Sequence, residues 1–278
     1  MNNEEKKMNI AIAGLGVIGA SFAIALKKKG HYIIGLDNDK KTLETALSKG
    51  FADEVYDKPN EALGNSDVLL LCLHVRDIPE YLDECLPYLK SGCLISEAAS
   101  IKGGVYDRIK KGIQGKSYRY CSVHPMAGKE SRGIDNADPE LFHGCAYMII
   151  ADGLDEYSYS EARQIASDVG ASHIEKVSYS KHEEIVAKIS DLPHLLSQAY
   201  IASLEGEASF GGGSHKALAR LARSNPKMWA DIYMGNRENL LKSLADFEGK
   251  LAELKQSLID GDGEKLYKSL KQIEEKSK

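Results

Sequence analysis

Two short stretches of the N-terminal half hold the residue types and spacings best suited to chemistry. The first is GLGVIG, which places Gly14, Gly16 and Gly19 in a G-x-G-x-x-G pattern. There the first glycine permits a tight turn, the second lets backbone approach a pyrophosphate, and the third lets a helix pack closely on a strand. A helix opening at this point offers N–H groups and partial positive charge to phosphates. Gly14, Gly16, Val17, Ile18 and Gly19 are therefore candidate cofactor contacts. Asp37 joins them, because an acid at the end of the following strand can accept hydrogen bonds from both ribose hydroxyls and would repel a 2′-phosphate. NAD is thus favoured over NADP, with Lys40 and Lys41 close enough to keep NADP in view. The second stretch is SVHPMAGKESRG, Ser122 to Gly133, which gathers a histidine, a proline, two glycines and a carboxylate directly after strand-like residues.

The elements that must position these residues alternate. Met8 to Ala13 form an apolar strand-like run; the glycine turn, the helical ASFAIALKKKG and the strand HYIIGLD follow. This is a strand–turn–helix–strand unit, the context that gives the glycine pattern meaning. SDVLLLCL is apolar without alternation, as a buried parallel strand should be. The helical VRDIPEYLDECLPYL, then GCLISEAAS, YRYCSVH and HGCAYMIIAD as strands, the helical EYSYSEARQIASDVG and the strand SHIEKVS complete a doubly wound, mostly parallel sheet to about Lys176. Ligands of such sheets bind at the carboxyl ends of strands. His74, Ser100 and His124 all fall just past expected strand ends, which singles them out.

Beyond Lys176 the strand signal stops, so residues 1–176 are expected to form an α/β dinucleotide-binding Rossmann domain and residues 177–278 an all-α one. Ile185, Ile189, Leu192, Leu196 and Ala199 recur at helical spacing, with Pro193 inside the pattern to bend it. Gly211 to Gly213 mark a loop; Ser224 or Asn225 caps a new helix that starts at Pro226. Leu240, Leu244, Phe247, Leu251, Leu254 and Leu258 alternate spacings of four and three. Such a stripe serves either an internal helical core or a second subunit. A hundred-residue helical appendage does not easily bury all its apolar faces alone, so a homodimer is expected.

Bulk composition narrows the class. The 278 residues are 43% hydrophobic and 28% charged, with a formal charge of −5, so nucleic acid is not an expected partner. The start has no apolar signal core and no run is long enough to span a bilayer, so a cytoplasmic location is expected. Five cysteines (Cys72, Cys85, Cys93, Cys121, Cys145) form no CxxC pair, and read as reduced and mostly buried rather than as a metal site or disulfide frame.

In order along the chain, GLGVIGAS, HPMAGKESRG, LPHLL and the arginine before SNPKMW resemble the prephenate dehydrogenase family, which includes arogenate and cyclohexadienyl dehydrogenases. The resemblance covers nearly the whole chain, and HPMAG followed by a glutamate is its most specific part. It implies a Rossmann domain with a helical dimerisation domain. It also implies NAD-dependent oxidative decarboxylation: hydride leaves the ring carbon bearing the hydroxyl, the ring carboxylate leaves as carbon dioxide, and the ring becomes aromatic. It assigns His124 to the substrate hydroxyl as proton acceptor, with Ser100 beside the same hydroxyl. It assigns Arg220 to a substrate carboxylate, with Arg223 as competitor, His194 to the substrate side chain, and Glu130 to the pocket mouth.

The chain departs from that pattern at three places. Asp191 replaces the first histidine of SHLPH, KALAR replaces DxTR with Ala217 and Ala219, and Ala99 replaces a glycine. An acid at Asp191 near a dianionic substrate is unfavourable unless paired, and would cost less for a substrate with an amino group, as arogenate has. No effector-binding βαβ module or chorismate mutase segment is expected after the DGDG break at Asp260 to Gly263. Two further readings stay open: a β-hydroxyacid dehydrogenase using a helical lysine such as Lys188, and a dinucleotide-binding relative without turnover.

Overall fold

Four mostly apolar runs form adjacent strands of one eight-stranded sheet. The computed structural model describes residues 6–129 and 131–276, with the backbone alone at position 208. The chain divides into two compact units, one ending at Glu183 and the other beginning at Glu184.

In the first unit the strands are β1 (Asn9–Ala13), β2 (Tyr32–Leu36), β3 (Glu54–Tyr56), β4 (Val68–Leu71), β5 (Leu94–Glu97), β6 (Arg119–Pro125), β7 (Ala146–Ile150) and β8 (His173–Val177). Their order is β3-β2-β1-β4-β5-β6-β7-β8. All neighbours are parallel except β6 and β7. The first six strands thus follow the doubly wound order of dinucleotide-binding folds. Helices α1 (Val17–Lys28), α2 (Lys40–Ser48), α3 (Ile78–Cys85), α4 (Val105–Ile113) and α5 (Glu156–Asp168) connect them. Two apolar layers form. One is built on Ile10, Ile12, Phe22, Leu26, Tyr147 and Ile165, the other on Ala11, Leu69, Leu71, Leu82, Ile95 and Ile109. Alternate residues of β1 and β4 enter opposite layers, which is why these strands read as unbroken apolar runs.

Several element ends differ from the sequence reading. β6 continues through Pro125, so His124 is its penultimate residue rather than a residue past its end. β3, α2 and α4 are too short and polar for periodicity to reveal. Local capping explains α2, where the Asp39 carboxylate accepts from the Lys41 and Thr42 backbone N–H groups. All five cysteines are free, with Cys85, Cys93 and Cys121 buried.

Helix α6 (Tyr179–Val186) carries the chain into the second unit. The helical run expected to bend at Pro193 is α6, a π-helical turn at Ala187–Asp191, and α7 (Leu192–Ala202) in succession. Proline has no N–H to donate and its ring crowds the carbonyl four residues back; a widened turn accommodates it, with the Leu192 N–H reaching the Ala187 carbonyl. Then come α8 (Gly213–Ala222), α9 (Pro226–Gly235), α10 (Arg237–Ile259) and α11 (Gly263–Lys276). Asn225 is the cap of α9, accepting from Lys227 and Met228 N–H. Of the stripe on α10, Leu240 is buried, but Leu251 and Leu258 are 52% and 67% exposed. On α11 Tyr267, Leu270 and Ile273 are also at least half exposed.

Candidate active site

The parallel register aligns the carboxyl ends of four strands: Ala13 pairs with Leu71, Leu71 with Glu97, and Glu97 with Ser122. The glycine turn, the loops after β4 and β5, and the end of β6 therefore share one edge of the sheet. Each sequence-predicted residue of the first unit that the structure describes lies there.

The glycine turn is built as a dinucleotide turn requires. Gly14 has φ +87°, and a Cβ on it would sit 2.7 Å from the Cys72 carbonyl oxygen. A Cβ on Gly19 would fall on the Gly14 carbonyl, 3.0 Å from its carbon and 3.2 Å from Cys72 Cβ. These two glycines are demanded by the protein itself. Gly16 is different: a Cβ there meets nothing within 4 Å. Gly16 caps α1 and no side chain satisfies the helix start, so the turn presents open space and main-chain N–H donors together. Val17 is the first residue of α1 and is buried, and Ile18 is half-buried against the core. Asp37 follows β2 directly, its carboxylate accepting from Leu15 N–H at 2.8 Å and Asp39 N–H at 3.0 Å. The Leu15 bond ties the acid to the glycine turn, and each oxygen keeps lone-pair capacity for a further donor. This set fits a dinucleotide's pyrophosphate and ribose. His74 lies in the loop after β4, where its carbonyl accepts from Asp77 N–H. Ser100 is exposed in the loop after β5.

His124 sits at the centre of a buried polar cluster that the sequence did not announce. Its Nδ1 is 2.9 Å from His182 Nε2, and His182 Nδ1 is 2.8 Å from Glu183 Oε1. The Lys102 N–H donates to the same Glu183 oxygen at 3.2 Å. The Lys102 ammonium, wholly buried, donates to both Glu97 oxygens (3.2 and 3.0 Å), the Ala99 carbonyl at 2.5 Å and the Val123 carbonyl at 2.8 Å. Glu97 also accepts from Tyr120 OH at 3.2 Å, Ala99 N–H at 2.8 Å and Ser122 Oγ. Lys102 thus clamps the end of β5 to the end of β6, one residue before His124.

This environment sets the charge states. Burial, then the nearby Lys102 ammonium, then His182, push the His124 pKa well below the ordinary histidine value, so its imidazole is neutral. Burial and Lys102 lower His182 to about 3. Burial raises Glu183 to about 7 against the opposing Lys102 contacts. A neutral imidazole at the cofactor edge of a Rossmann sheet is equipped to accept a proton from a substrate hydroxyl. Sequence reasoning missed His182, Glu183, Lys102 and Glu97. KHEE reads as a solvated helix face, and Glu97 and Lys102 are separated by a loop that only the fold closes.

The second unit holds His194 and Arg220. His194 Nδ1 donates to the Ser190 carbonyl at 2.9 Å, and its ring stacks on Trp229 at 3.9 Å between centroids. Arg220 is exposed on α8, three residues before Arg223. Asp191 is wholly buried and accepts from Asn236 Nδ2 at 3.3 Å. Its carboxylate therefore lies inside the second unit, beside Asn236. Glu130 lies outside the described residues. Among the described residues no cluster of ligating side chains could hold a metal ion, and no helix is long and apolar enough to cross a membrane.

Sheet order, glycine turn and a buried neutral histidine at the same edge define a dinucleotide-dependent dehydrogenase. Residues 22–175 match the prephenate dehydrogenase nucleotide-binding domain, and residues 178–272 match the prephenate dehydrogenase dimerization domain. The chain belongs to the prephenate dehydrogenase family. It is 28% identical over 280 residues to the cyclohexadienyl dehydrogenase of Zymomonas mobilis, covering 95% of this chain and 93% of that one. The prephenate dehydrogenase of A. aeolicus, solved with hydroxyphenyl propionate and NAD+, superposes with a TM-score of 0.89 at 27% identity over 99% of both chains. The arogenate dehydrogenase of Synechocystis gives 0.85 at 26% identity over 97% of this chain and 99% of that one.

Proposed function

We propose that this protein carries out the NAD-dependent oxidative decarboxylation of prephenate to 4-hydroxyphenylpyruvate, a step toward tyrosine, in the cytoplasm. Residues 1–176 serve as the dinucleotide-binding domain and residues 177–278 as the substrate and dimerisation domain of a homodimer. The observation that carries this reading is the neutral, buried His124 on the same strand edge as the glycine turn.

NAD, when bound, supplies the hydride acceptor. Gly14, Gly16, Val17, Ile18 and Gly19 hold its pyrophosphate, Asp37 its ribose, and His74 lines the same edge. His124 Nε2 accepts the proton of the ring hydroxyl as hydride leaves the carbon, and Ser100 orients that hydroxyl. Loss of carbon dioxide leaves a phenolate, to which His124 returns the proton, so no net proton is consumed. Arg220 pairs with a substrate carboxylate, for which its planar guanidinium is suited. His194 contacts the side chain, and Glu130 stands at the mouth.

NADH formation followed separately with prephenate and arogenate, each with NAD and NADP, tests this. The expected result is turnover with prephenate and NAD. Faster turnover of arogenate assigns the second member of the class; turnover of neither refutes the reading. His124→Asn should lower kcat by about 10²–10⁴ while NAD still binds, and near-normal turnover removes His124 from its role.

A further inference from the structure

Glu183 and His182 have no part in the reading above, yet they are buried and end on the histidine it relies on. We propose that Glu183–His182–His124 is a directional hydrogen-bond relay, in which the Glu183 carboxylate selects the His124 tautomer that can accept the substrate proton. His182 and Glu183 are positioning residues; only His124 meets substrate. The proposal rests on the assignment of His124 as proton acceptor.

The geometry allows two directions. With Glu183 ionised, His182 Nδ1–H donates to Glu183 Oε1 (2.8 Å), which leaves His182 Nε2 as an acceptor. His124 Nδ1–H then donates to it at 2.9 Å. The proton of His124 is thereby fixed on Nδ1, and Nε2 keeps the lone pair that catalysis needs. With Glu183 protonated, the acid donates to His182 Nδ1, His182 Nε2–H donates to His124 Nδ1, and the His124 proton moves to Nε2. The same atoms in the same places then present a donor where an acceptor is required. The Lys102 N–H on Glu183 Oε1 accepts no proton, so it supports the ionised direction.

The relay also balances as a transient store. The hydroxyl proton moves to His124 Nε2, the Nδ1 proton of His124 shifts toward His182 Nε2, and that of His182 Nδ1 shifts toward Glu183. All three movements reverse when the phenolate recovers its proton. Among the described residues, groups that face Glu183 include His182, the Lys102 N–H and ammonium, and Tyr179 on its own helix. Those facing His124 are His182 and Lys102. Both imidazoles stay neutral well below pH 6 because burial and Lys102 oppose their charge. Glu183 is the one member of the relay raised toward neutrality, to about 7. Below that pH the chain reverses and activity falls; above it the productive direction holds.

The test uses the full-length enzyme. Glu183→Gln keeps an acceptor oxygen for Lys102 and His182 but removes the charge and the titration. The expected result is a 10- to 100-fold lower kcat with KM for substrate within about threefold, and an acid limb near pH 7 that disappears. Glu183→Asp should restore part of kcat and the acid limb. His182→Phe should lower kcat similarly, and the double variant should lose no more than the larger single effect, because residues acting as one unit are not additive. Nitrogen-15 spectra of the free enzyme give the His124 tautomer without any turnover: Nδ1–H at pH 8, with a shift toward Nε2–H as the pH falls through about 7 in the wild type and no such shift in Glu183→Gln, whose amide oxygen stays an acceptor. A tautomer unchanged with pH in the wild type, or additive losses, overturns the relay. If neither cyclohexadienyl substrate is turned over but the tautomer follows Glu183, the relay stands and the functional reading fails.

Discussion

Replacing Gly16 and Gly19 in turn by alanine separates what the turn needs to fold from what it needs to bind. At Gly19 the added methyl carbon lands on the Gly14 carbonyl and within 3.0–3.2 Å of two further atoms. Both sides are backbone or short side chain, so neither can swing away. Overpacking of this kind costs about 1–3 kcal/mol, and a melting point falls roughly 2–4 °C per kcal/mol in a protein this size, so Gly19→Ala should melt about 2–12 °C lower without ligand. At Gly16 the methyl meets nothing within 4 Å, and φ is −67°, ordinary for alanine. The weaker N-cap preference of alanine, about 0.5–2 kcal/mol, is offset in part by the unfolded-chain entropy it removes, about 0.4–1 kcal/mol. Gly16→Ala should therefore melt no more than about 6 °C below wild type yet bind NAD at least tenfold more weakly, because the methyl fills the space a pyrophosphate would use. Differential scanning calorimetry and titration calorimetry with NAD report the two quantities independently. Unchanged NAD affinity in Gly16→Ala, or a loss of stability as large as that of Gly19→Ala, would refute the assignment of that space to the cofactor.

Three other perturbations follow from the same geometry. Asp37→Ser should raise the NADP-to-NAD ratio of kcat/KM by tenfold or more by removing the charge that repels a 2′-phosphate; an unchanged ratio removes Asp37 from cofactor choice. Lys102→Met leaves Glu97 charged and buried, which costs about 3–5 kcal/mol, and chemical denaturation should show it; the double change with Glu97→Gln should recover part of the loss. Leu251→Lys with Leu258→Lys should shift the protein from dimer to monomer by analytical ultracentrifugation if the exposed stripe of α10 is the subunit interface, and an intact dimer places that interface elsewhere.

The layout was legible where periodicity and glycine geometry speak locally. Apolar runs without alternation located β1 and β4, and three glycines with Asp37 located the turn between β1 and α1, because each signal lies within a few consecutive residues. HPMAG singled out His124, which the structure places in the buried polar cluster. The relay was not, because its members come from β6 and α6, 58 residues apart in sequence, and only the sheet order brings them together. The burial of Asp191 was not legible either. Its carboxylate lies inside the helical unit against Asn236, at the end of a π-helical turn, and a linear pattern carries no record of such a turn.

For the proton-accepting role proposed for His124, a buried ammonium beside it looks at first like a mistake, since it weakens the base. That role does not ask His124 to hold the proton, however; it asks for a loan during hydride loss and for return to the phenolate. A base whose protonated form is destabilised by burial and by Lys102 gives the proton back readily, while the Glu183–His182 side keeps the transient imidazolium from being prohibitively costly. Lys102 can be spent in this way because Glu97 neutralises it and because Tyr120, Ser122 and the Ala99 N–H occupy the remaining lone pairs of Glu97. In the proposed relay the two acids divide the work: Glu97 holds the cation that shortens the life of protonated His124, and Glu183 fixes the side of the ring on which the proton arrives. Neutralising Glu97 should thus affect folding first, and neutralising Glu183 should affect turnover first.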